Sequence, residues 1–127
     1  MKILFSPAET KKVGGIKGNI ESECFLFPKL FDFRKEVLDK YNNFINTSTD
    51  EALSSFFGIK DYKKFEKYKT NIYNQSLMKV IERYDGVAFD YLDYSALDDE
   101  SKEYIDKNTI VFSNLFGPLL AGVFGIP

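Results

Sequence analysis

The chain has 127 residues, enough for one domain with a genuine core, and its composition (44% hydrophobic, 28% charged) is that of a folded globular protein rather than a disordered or fibrous one. A formal charge of -2 supplies no global attraction for nucleic acid, so any such binding must rest on local patches. With no histidine, Ser-His, Cys-His and histidine-based metal sites are excluded within this chain, and any catalysis falls to carboxylates, lysine or tyrosine.

In chain order, Lys2 to Phe5 is β-prone and bounded by Ser6-Pro7, which predicts a short buried strand ending in a turn. The glycine-rich stretch KKVGGIKGN follows and reads as a flexible loop, leaving Lys11, Lys12 and Lys17 free to move toward a ligand. Cys24, the single cysteine, has no intrachain disulfide partner and reads as a small apolar filler, as suits a reducing compartment.

Pro28 fits the first turn of a helix along which Leu30, Phe33, Val37, Leu38, Tyr41, Phe44 and Ile45 recur at spacings of three and four. That amphipathic helix should stop near Asn46. Ser48 or Thr49 then caps a second helix, with Asp50 or Glu51 in its first turn and Gly58 at its end. Asp61 caps a third, shorter helix carrying Tyr62, Phe65 and Tyr68 on one side and Lys63, Lys64 and Lys67 on the other. A fourth helix is expected over Gln75 to Tyr84, with Leu77, Val80 and Ile81 facing inward and Asp85-Gly86 breaking it. The pattern from Phe89 to Leu97 is ambiguous. Asp98 starts another helix, and Thr109 to Phe112 reads as a second short strand. The implied class is α+β, mixed and helix-rich, with residues 1–127 as a single domain.

Two isolated strands are marginal on their own and hint at a larger sheet. Both ends of the chain resemble interior pieces, and the apolar close, FSNLFGPLLAGVFGIP, is expected to pack on a partner or to lead into further chain. Self-association through that segment is one expectation. No stretch approaches the ~18 apolar residues of a membrane span, and the N-terminus lacks a basic region followed by an apolar one, so a cytoplasmic protein with no membrane partner is expected.

Four constellations could carry chemistry. At the end of the first strand, Ser6-Pro7-Ala8-Glu9-Thr10-Lys11 puts a hydroxyl, a carboxylate and an ammonium in one turn, a usual place for ligand-binding groups, although Ser6-Pro7 redirecting the chain is the simpler reading. From Lys60 to Lys69, five lysines interleave with aromatics as in a phosphate-tracking surface, although a solvated helix face explains them more simply. From Asp85 to Asp106, eight carboxylates face only Lys102; without ordered ligand spacing they read as caps and surface, and neither a metal nor another cofactor is assigned. Near the C-terminus, SNLFGPLLAG has the form of a glycine-containing hairpin that could offer backbone N–H groups to a phosphate, or be a buried turn, with Pro118 removing one donor.

Three blocks in this order resemble the YaaA-type peroxide stress proteins of bacteria. ILFSPAET is similar to that family's ISPAKT signature, YDGVAFDYLDYSAL to its FKGDVYTGL region, and TIVFSNLFGPLLAGVFGIP to its LSGLYGVLRP segment. The resemblance implies a mixed α/β fold with a helix-hairpin-helix-like turn near the C-terminus, a positively charged cleft, DNA as partner and a role in limiting iron-dependent oxidative damage. Members of the family are longer, so the chain is expected to be the N-terminal part of a larger domain. Ser6, Pro7, Ala8 and Thr10 match the opening signature, with Glu9 where the family has lysine and Lys11 or Lys12 as the compensating charge. Gly86 matches the central glycine, Tyr91 or Tyr94 the aromatic after it, and Gly117, after Asn114, the hairpin glycine. Ala121-Gly122 stands near the position of an arginine-proline pair that is absent here. The candidate DNA- or ligand-binding set is therefore Ser6, Pro7, Thr10, Lys11, Lys12, Gly86, Asn114 and Gly117. The rival expectation is an enzyme that binds a nucleotide-like ligand through Ser6, Thr10 and Lys11.

Overall fold

A computed structural model describes residues 1–127 and shows a mixed α+β protein in which helices dominate and the strands are short. The central sheet has three strands: β1 (Ile3–Phe5) runs parallel to β5 (Thr109–Ser113), and β6 (Gly117–Leu120) returns antiparallel on its other side. Its register pairs Ile3 with Thr109 and Phe5 with Val111, and then Val111 with Leu119. Along β5 the side chains alternate, Thr109 and Val111 buried and Phe112 exposed, as one covered face requires.

Two further ladders of two or three residues hold the rest. β2 (Thr10–Lys11) pairs antiparallel with β4 (Tyr84–Asp85), and β3 (Met78–Lys79) with β7 (Phe124–Ile126). Around them lie α1 (Phe31–Thr47), α2 (Asp50–Phe57), α3 (Tyr62–Phe65), α4 (Val80–Arg83), α5 (Val87–Leu92) and α6 (Asp99–Asn108). Pro28 opens a single 3-10 turn that leads into α1, Thr49 caps α2 by accepting the Ala52 N–H, and Asp98 caps α6 by accepting the Ser101 N–H. Gly58 ends α2, as its position predicted.

The main core joins Leu38 of α1, Val80, Ile81 and Tyr84, Phe89 of α5, and Val111, Phe116, Leu119 and Ile126 from the sheet and tail. A smaller cluster of Ile45, Leu53 and Phe65 lies between α1, α2 and α3, where Phe57 stacks on Tyr68 at 4.9 Å between ring centres.

Several expectations are corrected. The span Gln75 to Tyr84 is helical for one turn only, because its backbone groups find distant partners. Leu77 exchanges both hydrogen bonds with Ile16, and the Val80 and Ile81 N–H groups donate to Val123 and Ala121 carbonyls at 2.8 and 3.0 Å. The glycine-rich stretch is not a free loop. Thr10–Lys11 is a strand, the Lys12 N–H donates to the Arg83 carbonyl, and Ile16 is bridged to Leu77. On α1, Leu38 and Ile45 are buried, but Leu30, Phe33 and Val37 of the expected inner face are exposed. No helix-hairpin-helix forms near the C-terminus: the glycine-containing hairpin joins strands β5 and β6, because Thr109 to Ser113 is already committed to β1. The apolar tail packs back on the chain, with Ile126 fully buried and β7 paired to β3, while Phe124 stays exposed.

Candidate functional site

The parallel register of β1 and β5 brings Ser6 and Pro7 out of the sheet at the same end as Ser113 and Asn114. This is the carboxyl end of paired parallel strands, where chain directions diverge and leave room for a ligand. The next residues turn back: β2 pairs Thr10 with Asp85 and Lys11 with Tyr84, and Ala8 packs so close that a Cβ at Gly86 would come within 3.0 Å of it. The third segment arrives through Phe116, in the turn between β5 and β6. Lys11 Nζ lies 4.8 Å from the centre of the Phe116 ring and 5.8 Å from that of Tyr84, and donates to the Pro127 carbonyl at 3.0 Å. The three sequence blocks, distant along the chain, thus meet around one ammonium.

That ammonium stands in unusual electrostatics. Burial pushes the Lys11 pKa down to about 8, and the nearby Arg83 charge adds to the effect. Arg83 is itself 4% exposed and lowered by burial. Its guanidinium donates to three carbonyls: Lys12 at 2.7 Å, Gly14 at 3.1 Å and Ser76 at 2.7 Å. Its Nε has no partner. The ion pairs of the chain involve Lys69, Lys79 and Lys107, so no Asp or Glu side chain pairs with Lys11 or Arg83; the oxygen on Lys11 is a main-chain oxygen of Pro127, the last residue of the sequence. The buried Tyr84 hydroxyl also lacks a well-formed hydrogen bond, its pKa raised by burial against a smaller opposing influence of Ser113. Two cations and a phenol with no Asp or Glu side chain paired to them form a region able to accept negative charge. With a pKa near 8, Lys11 also carries a neutral fraction near physiological pH, the condition for an amine to act as base or nucleophile.

Of the residues singled out by sequence, Ser6, Pro7, Thr10, Lys11 and Gly86 gather here. Lys11 is held rather than free, which corrects the expectation of a mobile lysine. Lys12 ties its backbone to Arg83 while its side chain stays exposed, and Asn114 is exposed in the hairpin turn. Gly117 is buried for a different reason: its φ is +75°, and a Cβ there would lie 2.6 Å from Arg34 Nη2, whose guanidinium donates to the Leu115 carbonyl. Sequence reasoning missed Arg83, Tyr84 and Phe116. One signal was present, since Arg34 and Arg83 are the only arginines among 17 basic residues and both bind backbone carbonyls.

The charged segments resolve into structure. Lys60, Lys63, Lys64 and Lys67 are exposed around a buried Phe65, while Lys69 bridges to Asp50. In the acidic stretch, Asp106 accepts from Lys79 Nζ at 2.8 Å and from the Tyr94 hydroxyl at 2.7 Å, and Lys79 also donates to Tyr94. Those hydrogen bonds, led by that to Asp106, raise the Lys79 pKa and keep it charged. No helix is long and apolar enough to cross a membrane.

Comparison with known proteins adds a family. The family described as peroxide stress protein YaaA matches residues 1–122. An uncharacterized protein of Campylobacter jejuni is 41% identical over 117 residues, covering 92% of this chain and 48% of that protein. UPF0246 proteins of Finegoldia magna and Malacoplasma penetrans are 29% and 28% identical, covering 94% and 92% of this chain and 46% of each relative. The chain spans about half the length of the curated relatives it matches.

Proposed function

Because the chain belongs to the peroxide stress protein YaaA family, we propose that it serves the cytoplasmic response to peroxide by binding DNA and thereby limiting iron-dependent damage. The observation that supports binding of a polyanion is the cationic centre of Lys11 and Arg83, paired to no Asp or Glu side chain and flanked by the exposed Lys12. Backbone phosphates would approach the exposed lysines and feel the buried charge behind them, while Ser6 and Thr10 supply hydroxyl donors at the rim. The net charge of -2 confines the contact to this side of the molecule and makes it strongly dependent on salt.

The test is fluorescence anisotropy of labelled duplex and junction DNA across a series of salt concentrations. Binding should weaken as salt rises, and Lys12→Ala should lower the slope of log K against log salt by about one. Absence of salt-dependent binding by both this chain and the longer Campylobacter jejuni relative would overturn the reading.

One observation favours a second reading. Lys11 is more deeply placed than a duplex phosphate readily reaches, which suits a small nucleotide-like ligand held by Ser6, Thr10 and Lys11. A melting-temperature rise with nucleotides and none with DNA would select it.

A further inference from the structure

An apolar depression opens between residues 25 to 37 and Phe116 and Pro118 of the apolar C-terminal segment. It is a groove of about 350 Å³ between the Pro28 turn with the first half of α1 and the hairpin of β5 and β6. Its floor is Phe25 and Phe116, and its rim is made by Phe27, Leu30, Phe33 and Val37. The rim residues are 55%, 53%, 68% and 42% exposed. Leu30, Phe33 and Val37 follow helical spacing, so they form one ridge rather than scattered single exposures, and a contiguous apolar surface of this kind marks an interface. Arg34, within the same wall, donates to the Leu115 carbonyl, which fixes its guanidinium while leaving it charged, and it is the one charged residue in a lining that is otherwise almost wholly apolar.

The lengths of the relatives indicate the occupant. Each matches more than nine tenths of this chain, yet the match takes up 46% to 48% of the relative, so about half of each relative lies outside it. We propose that the Phe27, Leu30, Phe33 and Val37 groove is the docking face for polypeptide corresponding to that other half, received through an apolar helix or strand laid beside α1. The rim residues of the groove take no part in the anion-binding reading, which it touches only through Phe116 on its floor.

Co-expression tests this without requiring either part to fold alone. This chain, carrying an affinity tag, is produced together with the remaining half of the Campylobacter jejuni relative, and the partner recovered on the tag is quantified. The two should purify at one to one. Phe33→Asp and, separately, Val37→Lys should each reduce recovery at least tenfold, and Phe33→Leu should restore it; both charged variants replace exposed residues, and circular dichroism verifies their fold. Equal recovery with the charged variants overturns the proposal. So does an absence of co-purification, and a homodimer by light scattering that Phe33→Asp dissociates would give the groove to a second copy instead.

Discussion

The Lys11 ammonium makes stability depend on pH in an unusual direction, and Lys11→Met isolates the effect. In the unfolded chain this lysine titrates near its ordinary value of 10.5; in the folded protein burial and Arg83 bring it to about 8. Between those values the unfolded state binds more protons, so stability rises with pH through the window, and the penalty is present in full below it. From about pH 7.5 to about pH 9.5 the gain works out at about 2 kcal/mol, taking 1.36 kcal/mol per pKa unit. Tyr84, raised by burial, acts in the opposite sense only above its ordinary value of 10, which leaves this range clear. Urea unfolding at three pH values reads the free energies directly. The native chain should gain stability as the buffer becomes alkaline, while Lys11→Met, whose thioether can still lie on the Phe116 ring, should be nearly flat. Equal slopes for the two proteins would refute the argument that Lys11 is a desolvated cation. Bound polyanion should raise the lysine's pKa and flatten the native profile as well.

Other substitutions probe the supports of the site by the same unfolding assay. Arg83→Met strands three carbonyls that now accept from the guanidinium and should cost about 3 kcal/mol, with a loss under about 0.5 kcal/mol showing that water replaces it freely. Gly15→Ala places a Cβ 2.3 Å from the Leu77 carbonyl oxygen at a φ of +112° and should cost about 2 kcal/mol or more by breaking the Ile16 to Leu77 bridge, which hydrogen exchange at Leu77 would report. Asp106→Ala leaves the Lys79 ammonium and the Tyr94 hydroxyl without their acceptor and should cost about 2 kcal/mol, whereas Lys79→Met with Asp106→Leu should recover part of it.

What the sequence displayed well was local. Thr49, Gly58 and Asp98 act within a turn of their own helices, and the β-branched run at Thr109 needs no distant information to read as a strand. What it concealed depends on pairings across the chain. The apolar spacing of Leu77, Val80 and Ile81 suits a helix, yet their N–H groups are taken by Ile16, Val123 and Ala121, and no local pattern announces such partners. The same holds for Lys11, whose neighbours Arg83, Phe116 and Pro127 are more than seventy residues away. The apolar spacing on α1 marks one amphipathic face, but periodicity reports which residues share a face and not whether that face is covered. The convergence of the candidate site was visible only as three blocks in order; the ladder between Thr10–Lys11 and Tyr84–Asp85 is what turns that order into proximity.

The parallel pairing of Ile3 with Thr109 also bears on biosynthesis. β1 receives its sheet neighbour only after more than a hundred further residues have been made, so β1 and the Ser6 turn stay unassembled through that interval, with Phe5 lacking its partner strand. Closure of so long a loop makes docking of this strand a slow event, to be sought in the final kinetic phase of refolding.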